Sequence, residues 1–306
     1  MRPELVRATE LLQSNDPASV NDALGLLQNT VYAFSMKVCG HPEDAEDTAQ
    51  EVFVRSLPHL AKISDPKALA VWLYTVARNR CWRMRRKGTH SPAQTLSLNE
   101  LMPDDSELNL LLQDSRPTPE AHLSQSEQSQ RLQAAVLTVP PQYRLVLVLH
   151  DMEDLDTEQI AQVLGIKPGT VRVRLHRARL YVRRELAATE KRNSIIEPVG
   201  NIPSGRSQKA TPAKVRSQEC REIFANLSEY LDGRIESPEC DQMRQHIEGC
   251  RPCVAFIQDL RQAIDRCRQA DSPCTPEMGQ RLRSLLTQEY LRMMGRPPAE
   301  KTSSPL

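Results

Sequence analysis

His246, Cys250 and Cys253 stand with three and then two residues between them, near the end of a 306-residue chain. On a helix that spacing projects all three from one face over two turns, so an imidazole and two thiolates converge. Cys220 lies on a preceding helical stretch with Phe224, Leu227 and Leu231, and can supply a fourth donor. Three Cys and one His suit tetrahedral Zn2+ in a structural or regulatory role, and four protein ligands leave no open position for a catalytic water. Cys240, Cys267 and Cys274 fall outside this set, as spare thiols, redox partners or a second soft-metal site of copper type. Cys39 and Cys81 stand apart in the N-terminal half.

A second chemistry is carried by Arg. Between Lys167 and Arg192 there are nine Lys/Arg against two Glu. Like charges this crowded repel one another unless anions neutralise them, and phosphate is an obvious anion. The elements that must position them are a helix, a turn and a helix. Asp156 or Thr157 caps the first, whose Ile160, Val163 and Leu164 share a face, and Gly165 ends it. Pro168 opens the second, where Val171, Leu175, Ala178, Val182 and Leu186 recur at helical spacing and face a core. Thr170, Arg172, Arg174, His176, Arg177, Arg179, Arg183 and Arg184 occupy its other faces, an arrangement that resembles the recognition helix of a helix-turn-helix.

The whole chain carries a formal charge of only +1, so any nucleic-acid surface is local and acids are gathered elsewhere. Gly is scarce, and the long apolar segments run at helical period, predicting an all-α protein of several domains. There is no run of eighteen apolar residues and no secretion-signal pattern at the N-terminus, so a cytoplasmic protein without a membrane span is expected. In that compartment the cysteines are expected to be free or metal-bound.

In chain order, a helix is expected from about Ala18 to Cys39, ending at Gly40. A helix from Pro42 follows, whose first turns hold Glu43, Asp44, Glu46, Asp47 and Glu51 without a basic residue. That exceeds what helix capping needs and fits a docking face for a basic protein. The next segment, KALAVWLYTVARNRCWRMRRK, is a helix expected to bury Leu69, Trp72, Leu73 and Val76. Its second half carries Arg78, Asn79, Arg80, Trp82, Arg83, Arg85, Arg86 and Lys87. An aromatic and an amide among cations suit single-stranded DNA, whose exposed bases can stack. Residues 88–125 have the composition of an acidic linker, with six Asp/Glu against one Arg and four Pro. Lys191 to Ser217 is expected to be a flexible tether, which at about 27 residues spans roughly 25 to 30 Å. Met278, Leu282, Leu285, Leu286 and Tyr290 predict an amphipathic tail helix.

DAEDTAQEVFVRSL followed by AVWLYTVARNRCWRMRRK resembles region 2 of the extracytoplasmic-function (ECF) group of bacterial sigma factors. VPPQYRLVLVLHDMEDLDTEQIAQVLGIKPGTVRVRLHRARLYVRREL is similar to region 4 of the same group. The resemblance implies that Asp44, Asp47, Gln50, Glu51 and Phe53 dock on core RNA polymerase. It also implies that the basic helix faces the −10 element of promoter DNA and that the helix from Pro168 enters the −35 major groove. At position 83 the family usually has an acidic residue, where this chain has Arg83. The last module resembles the zinc-binding anti-sigma domain, with Cys220, His246, Cys250 and Cys253 at its ligand positions and Tyr230 to Gly233 (YLDG) in its usual place. The implied plan is region 2 over 18–88, a linker over 89–125, region 4 over 126–190, a tether over 191–217, the zinc module over 218–270 and a tail over 271–306.

The resulting expectation is a sigma factor, not an enzyme, held by its own zinc module through an intramolecular contact. A sigma factor activated through its C-terminal cysteines by copper or zinc is the nearest variant. A helix-turn-helix regulator acting without polymerase is the rival, and it has no need of the acidic Asp44 to Glu51 face. Replacing Cys250 and Cys253 together by Ser is expected to abolish zinc retention, measured by atomic absorption on the purified full chain.

Overall fold

The computed structural model describes residues 2–14, 16–60, 62–85, 95–104, 107–108, 111–112, 125–196, 227, 231–232, 250–270, 283, 286–288, 290 and 292. Among them the chain is all-α, and no helix is long and apolar enough to cross a membrane. In chain order the helices are α1 (Pro3–Gln13), α2 (Pro17–Cys39), α3 (Pro42–Leu60), α4 (Pro66–Arg85), α5 (Leu98–Leu101), α6 (Gln125–Thr138), α7 (Pro141–Leu147), α8 (Thr157–Leu164), α9 (Pro168–Ile196) and α10 (Arg251–Gln269). Six of these open on a proline, whose fixed φ and missing N–H suit the first helical position. They gather into two compact units, residues 1–91 with 148–168 and 271–306, and residues 92–147 with 169–270.

In the first unit α1 to α4 pack on one another around Leu5, Leu24, Leu27, Phe34, Val52, Phe53, Leu69, Leu73 and Tyr74, all buried. Asp16 caps α2 by accepting from the Ser19 N–H (3.0 Å), and Gly40 ends it in the left-handed conformation at φ 83°. Helix α1 was not expected from the sequence; Leu5, Ala8 and Leu12 give it a short apolar face on α2. Trp72 and Val76 lie half-buried instead of in the core, with the Trp72 ring 5.2 Å from His59. Thr287 of the tail donates to Asn21 (3.3 Å), and Leu286 and Tyr290 are buried; Met278, Leu282 and Leu285 lie outside the described residues.

Helix α8 packs on α4, preceded by a π-helical turn, Val148–Met152, that also touches α2. This turn leads to Glu153, a completely buried carboxylate. Its Oε1 takes Lys37 Nζ of α2 at 2.9 Å, and its Oε2 takes Tyr74 Oη of α4 at 2.7 Å and Arg2 Nε at 3.0 Å. Arg2 further donates to the Met152 carbonyl (2.8 Å). An anion this deep is tolerated because charged and hydroxyl donors surround it, and for the same reason it welds the segment before α8 to α1, α2 and α4.

In the second unit α9 buries Val171, Leu175, Ala178, Val182 and Leu186, and Leu132 and Val136 of α6 and Leu145 and Leu147 of α7 are buried as well. Arg144, inside the Pro-Pro-Gln-Tyr-Arg turn, is buried and donates to the carbonyls of Leu137 and Val139, satisfying the end of α6. Within the stretch expected to be an acidic linker, α5 has a capping box between Ser97 and Glu100, and the Leu96 N–H donates to Tyr181 Oη (2.6 Å). Helix α9 runs through Ile196, six residues into the stretch expected to be tether. Helix α10 buries Cys253, Phe256, Ile257, Leu260, Ile264 and Cys267.

Glu153→Gln leaves Lys37 and Arg2 facing a neutral amide, and is expected to lower stability by about 3 kcal/mol in urea unfolding. Burial first, then the Glu153 carboxylate, hold the Tyr74 phenol protonated well above its ordinary 10.0. The stability from that shift is complete below pH 10 and lost as pH rises toward the higher folded value, so Tyr74→Phe is expected to flatten the alkaline arm of the stability profile.

Candidate functional site

Helix α8 is built to stop where it does. Asp156 accepts from the Gln159 N–H (2.8 Å) while Gln159 returns a bond to the Asp156 N–H (3.0 Å), a reciprocal cap. Gly165 closes the other end at φ 65°, where an L side chain would be strained. The chain then enters α9 at Pro168.

The basic side chains of α9 meet different surroundings. Arg172 is exposed, while Thr170, Arg174, Arg177 and Arg184 are half-buried. The expectation that Arg and His fill only the outward faces does not hold: His176, Arg179 and Arg183 are buried. Arg179, 1% exposed, makes a two-pronged pair with Asp232, at 3.0 and 2.8 Å. Arg183 Nε meets Asp259 of α10 at 2.5 Å and its Nη1 meets Glu107 at 3.4 Å, with the guanidinium 5.2 Å from the Phe256 ring centre. Arg184 donates to the Glu100 carbonyl (2.8 Å) and Arg177 to Tyr143 Oη (3.2 Å). Tyr143 and Tyr181 stack at 5.9 Å beside them, and burial raises the Tyr181 phenol.

Sequence reasoning missed Asp232, Asp259 and Glu107 as partners of these arginines. A signal was present: a stretch of nine Lys/Arg and two Glu inside a chain of net +1 needs acids from elsewhere, and Asp232 belongs to the YLDG run already singled out.

On α4, Arg78 is half-buried and donates to the Leu164 carbonyl at the end of α8 (3.1 Å) and to Asn79 Oδ1 (2.5 Å), and burial lowers its pKa. Asn79 is exposed, and Arg80 pairs with Glu51 at 2.7 Å. Trp82 holds a helical position, but its side chain lies outside the described residues, as does Arg86 entirely. On α3, Asp47 and Gln50 are exposed and Asp44 half-exposed, one turn apart along an outward face. Glu51 is held by Arg55 and Arg80 at 2.7 Å each. Phe53 points the other way, fully into the core, while Val54 on this helix is 67% exposed.

In the C-terminal module Cys220 and His246, like Cys240 and Cys274, lie outside the described residues. Cys250 and Cys253 stand at the start of α10, Cys250 half-exposed and Cys253 buried. Cys250 is not inside the helix that was expected to carry His246, Cys250 and Cys253 on one face. It is the N-cap, at φ −117° and ψ 97°, because Pro252 in the first turn has no N–H to continue a helix backwards and its ring opposes the carbonyl four residues earlier. Two thiols at a helix start fit the donor types of a zinc site. Among the described residues no cluster of three or more metal-binding side chains forms.

Comparison with known proteins finds three matching segments. Residues 25–90 match the family Sigma-70 region 2, residues 129–181 match Sigma-70, region 4, and residues 220–253 match the family described as "Putative zinc-finger". The RNA polymerase sigma factor YlaC of Bacillus subtilis is 28% identical over 177 residues, 58% of this chain and 97% of that protein. The ECF RNA polymerase sigma factor SigE of Mycolicibacterium smegmatis is 35% identical over 158 residues, 51% of this chain and 57% of that one. The ECF RNA polymerase sigma factor SigW of Bacillus subtilis is 27% identical over 176 residues, 57% and 92%. The sequence therefore carries sigma-70 regions 2 and 4 followed by a zinc-finger-like segment, and its homologues are ECF sigma factors.

Because Arg172 is exposed and Arg179 is not, the two are expected to respond differently in the full chain. Arg172→Ala should weaken binding to duplex DNA and reduce the salt slope, read by fluorescence anisotropy, by about 1. Arg179→Ala should leave that slope unchanged and lower stability by about 3 kcal/mol by stripping Asp232 of its buried partner.

Proposed function

We propose that this chain, a sigma factor by its regions 2 and 4, is an ECF-type initiation factor that brings core RNA polymerase to a particular promoter class in the cytoplasm and is held off by its own C-terminal zinc module. The observation that carries the second half is the two-pronged Arg179–Asp232 pair, seconded by Arg183–Asp259. Both acids belong to the C-terminal segment and both arginines to the helix proposed to read DNA. Carboxylates there stand where DNA phosphates would otherwise neutralise the charge.

In this reading Asp44, Asp47, Gln50 and Glu51 contact polymerase, with Phe53 holding α3 from within. Arg78, Asn79, Arg80, Trp82 and Arg86 handle the −10 element and its melted strand. Thr170, Arg172, Arg174, His176, Arg177 and Arg179 serve the −35 element, the last only once freed. Zn2+ held by Cys220, His246, Cys250 and Cys253 would fix the fold of the inhibitory module, and loss or oxidation of its thiolates is the chemical route to release. The proposed domain bounds are those given by the sequence, 18–88, 126–190 and 218–270. Tethering strengthens such a contact without new atoms: at an effective concentration of order millimolar, an intrinsic micromolar affinity keeps the chain closed by about 4 kcal/mol.

Run-off transcription with purified core polymerase across a promoter library tests both halves. The full chain is expected to initiate weakly, and Asp232→Asn with Asp259→Asn, or a chain ending after Ile196, several-fold more strongly. A full chain that initiates while the shortened one is silent would make the module an activator or metal sensor. Silence from every form on every promoter would leave an operator-binding regulator as the better account.

A further inference from the structure

Two cysteines that lie 42 residues apart in sequence meet inside the first unit. Cys39 is the last residue of α2, immediately before the left-handed Gly40, and Cys81 sits in the basic half of α4. Their sulfur atoms are 2.9 Å apart, with Thr48 Oγ1 of α3 at 3.9 Å from Cys81 Sγ. Cys39 is half-exposed and Cys81 2% exposed. They are thiols, not a disulfide. A disulfide holds its sulfurs about 2.05 Å apart, so a shift of under about 1 Å would close one.

We propose that Cys39 and Cys81 form a reversible oxidation site that peroxide closes into a disulfide between α2 and α4. The unequal exposure assigns the roles. The Cys39 thiolate attacks one oxygen of hydrogen peroxide, the O–O bond breaks, and the departing hydroxide takes a proton to leave as water, giving a sulfenic acid. The Cys81 sulfur, already in contact and shielded from solvent, attacks that sulfur. The S–O bond breaks and a second water leaves. The two thiols lose two electrons and two protons, and the peroxide becomes two waters. A dithiol reverses the bond by exchange at the half-exposed Cys39 sulfur. Burial of Cys81 makes it a poor first target but a well-placed second one, whereas two equally exposed thiols would be capped separately by small thiols.

The site does not depend on the zinc module, whose described cysteines Cys250, Cys253 and Cys267 belong to the second unit. Its consequence falls on α4, because Arg78, Asn79 and Arg80 directly precede Cys81 on that helix. The bond fixes this turn of α4 to the end of α2 and limits its freedom to shift when the helix engages a ligand.

The test uses the full chain, reduced, exposed to hydrogen peroxide, alkylated with iodoacetamide and mapped by peptide mass spectrometry. The expected result is a Cys39–Cys81 cross-linked peptide that dithiothreitol removes. With Cys81→Ser, Cys39 has no resolving partner, and its dimedone-trapped sulfenic acid should rise several-fold over the unsubstituted chain. With Cys39→Ser, Cys81 should give little adduct. The cross-link in the unsubstituted chain can be read whatever the variants do to folding. Peroxide-treated chain that keeps both thiols alkylatable would overturn the proposal, as would Cys39 paired mainly with a C-terminal cysteine.

Discussion

The second unit is organised by a demand for anions along α9. A helix carrying this many arginines repels itself, and the burial of Arg179 and Arg183 sharpens the demand, since a guanidinium out of water must be paired. The chain answers with its own acids, Asp232 and Asp259 from the C-terminal segment and Glu107 from the linker, while the Glu100 carbonyl caps Arg184. Such pairs add little net stability over apolar packing, but they are selective: removing one partner strands the other. A competing polyanion can replace such carboxylates at modest net cost, whereas an apolar seam would have to be exposed to water.

The first unit rests on the same physics with the sign reversed. Glu153 is a buried anion served by Lys37 of α2, Tyr74 of α4 and Arg2 at the start of α1. The π-helical turn is what brings it there, since the wider turn carries the Glu153 N–H to the Val148 carbonyl and leads the chain inward. Here too the interaction is specific more than strong. Helix α8, the first of the helix-turn-helix pair, therefore packs on α4, and Arg78 donates to its last carbonyl, so a residue expected to face DNA is occupied with protein.

Asp47 and Gln50 with Val54 present a mixed acidic and apolar face on α3, Arg172 and Val173 an exposed edge on α9, and Asn79 a polar one on α4. An acidic helix can keep such a face in water because its carboxylates near the N-terminus are favoured by the helix dipole, while Glu51, farther along, pairs with Arg55 and Arg80.

Local chemistry settled much of this in advance. The proline starts of α3 and α9, the cap at Asp156, the stop at Gly165 and the apolar stripe of α9 depend on neighbours within a few residues, and they were legible in the sequence for that reason. At Cys250 and Cys253 the helical spacing was misleading, because Pro252 put the helix start between them. Phe53 illustrates the next limit: period alone does not say which side of α3 a large side chain takes when acidic residues claim the other. What only the tertiary structure decided is which distant charge meets which. Arg179 with Asp232, Glu153 with Lys37, and the thiols of Cys39 and Cys81 are separated by 53, 116 and 42 residues. Sequence supplies the need for a partner, because a buried charge cannot stand alone; the identity of that partner is fixed by the packing of whole helices, which no local pattern encodes.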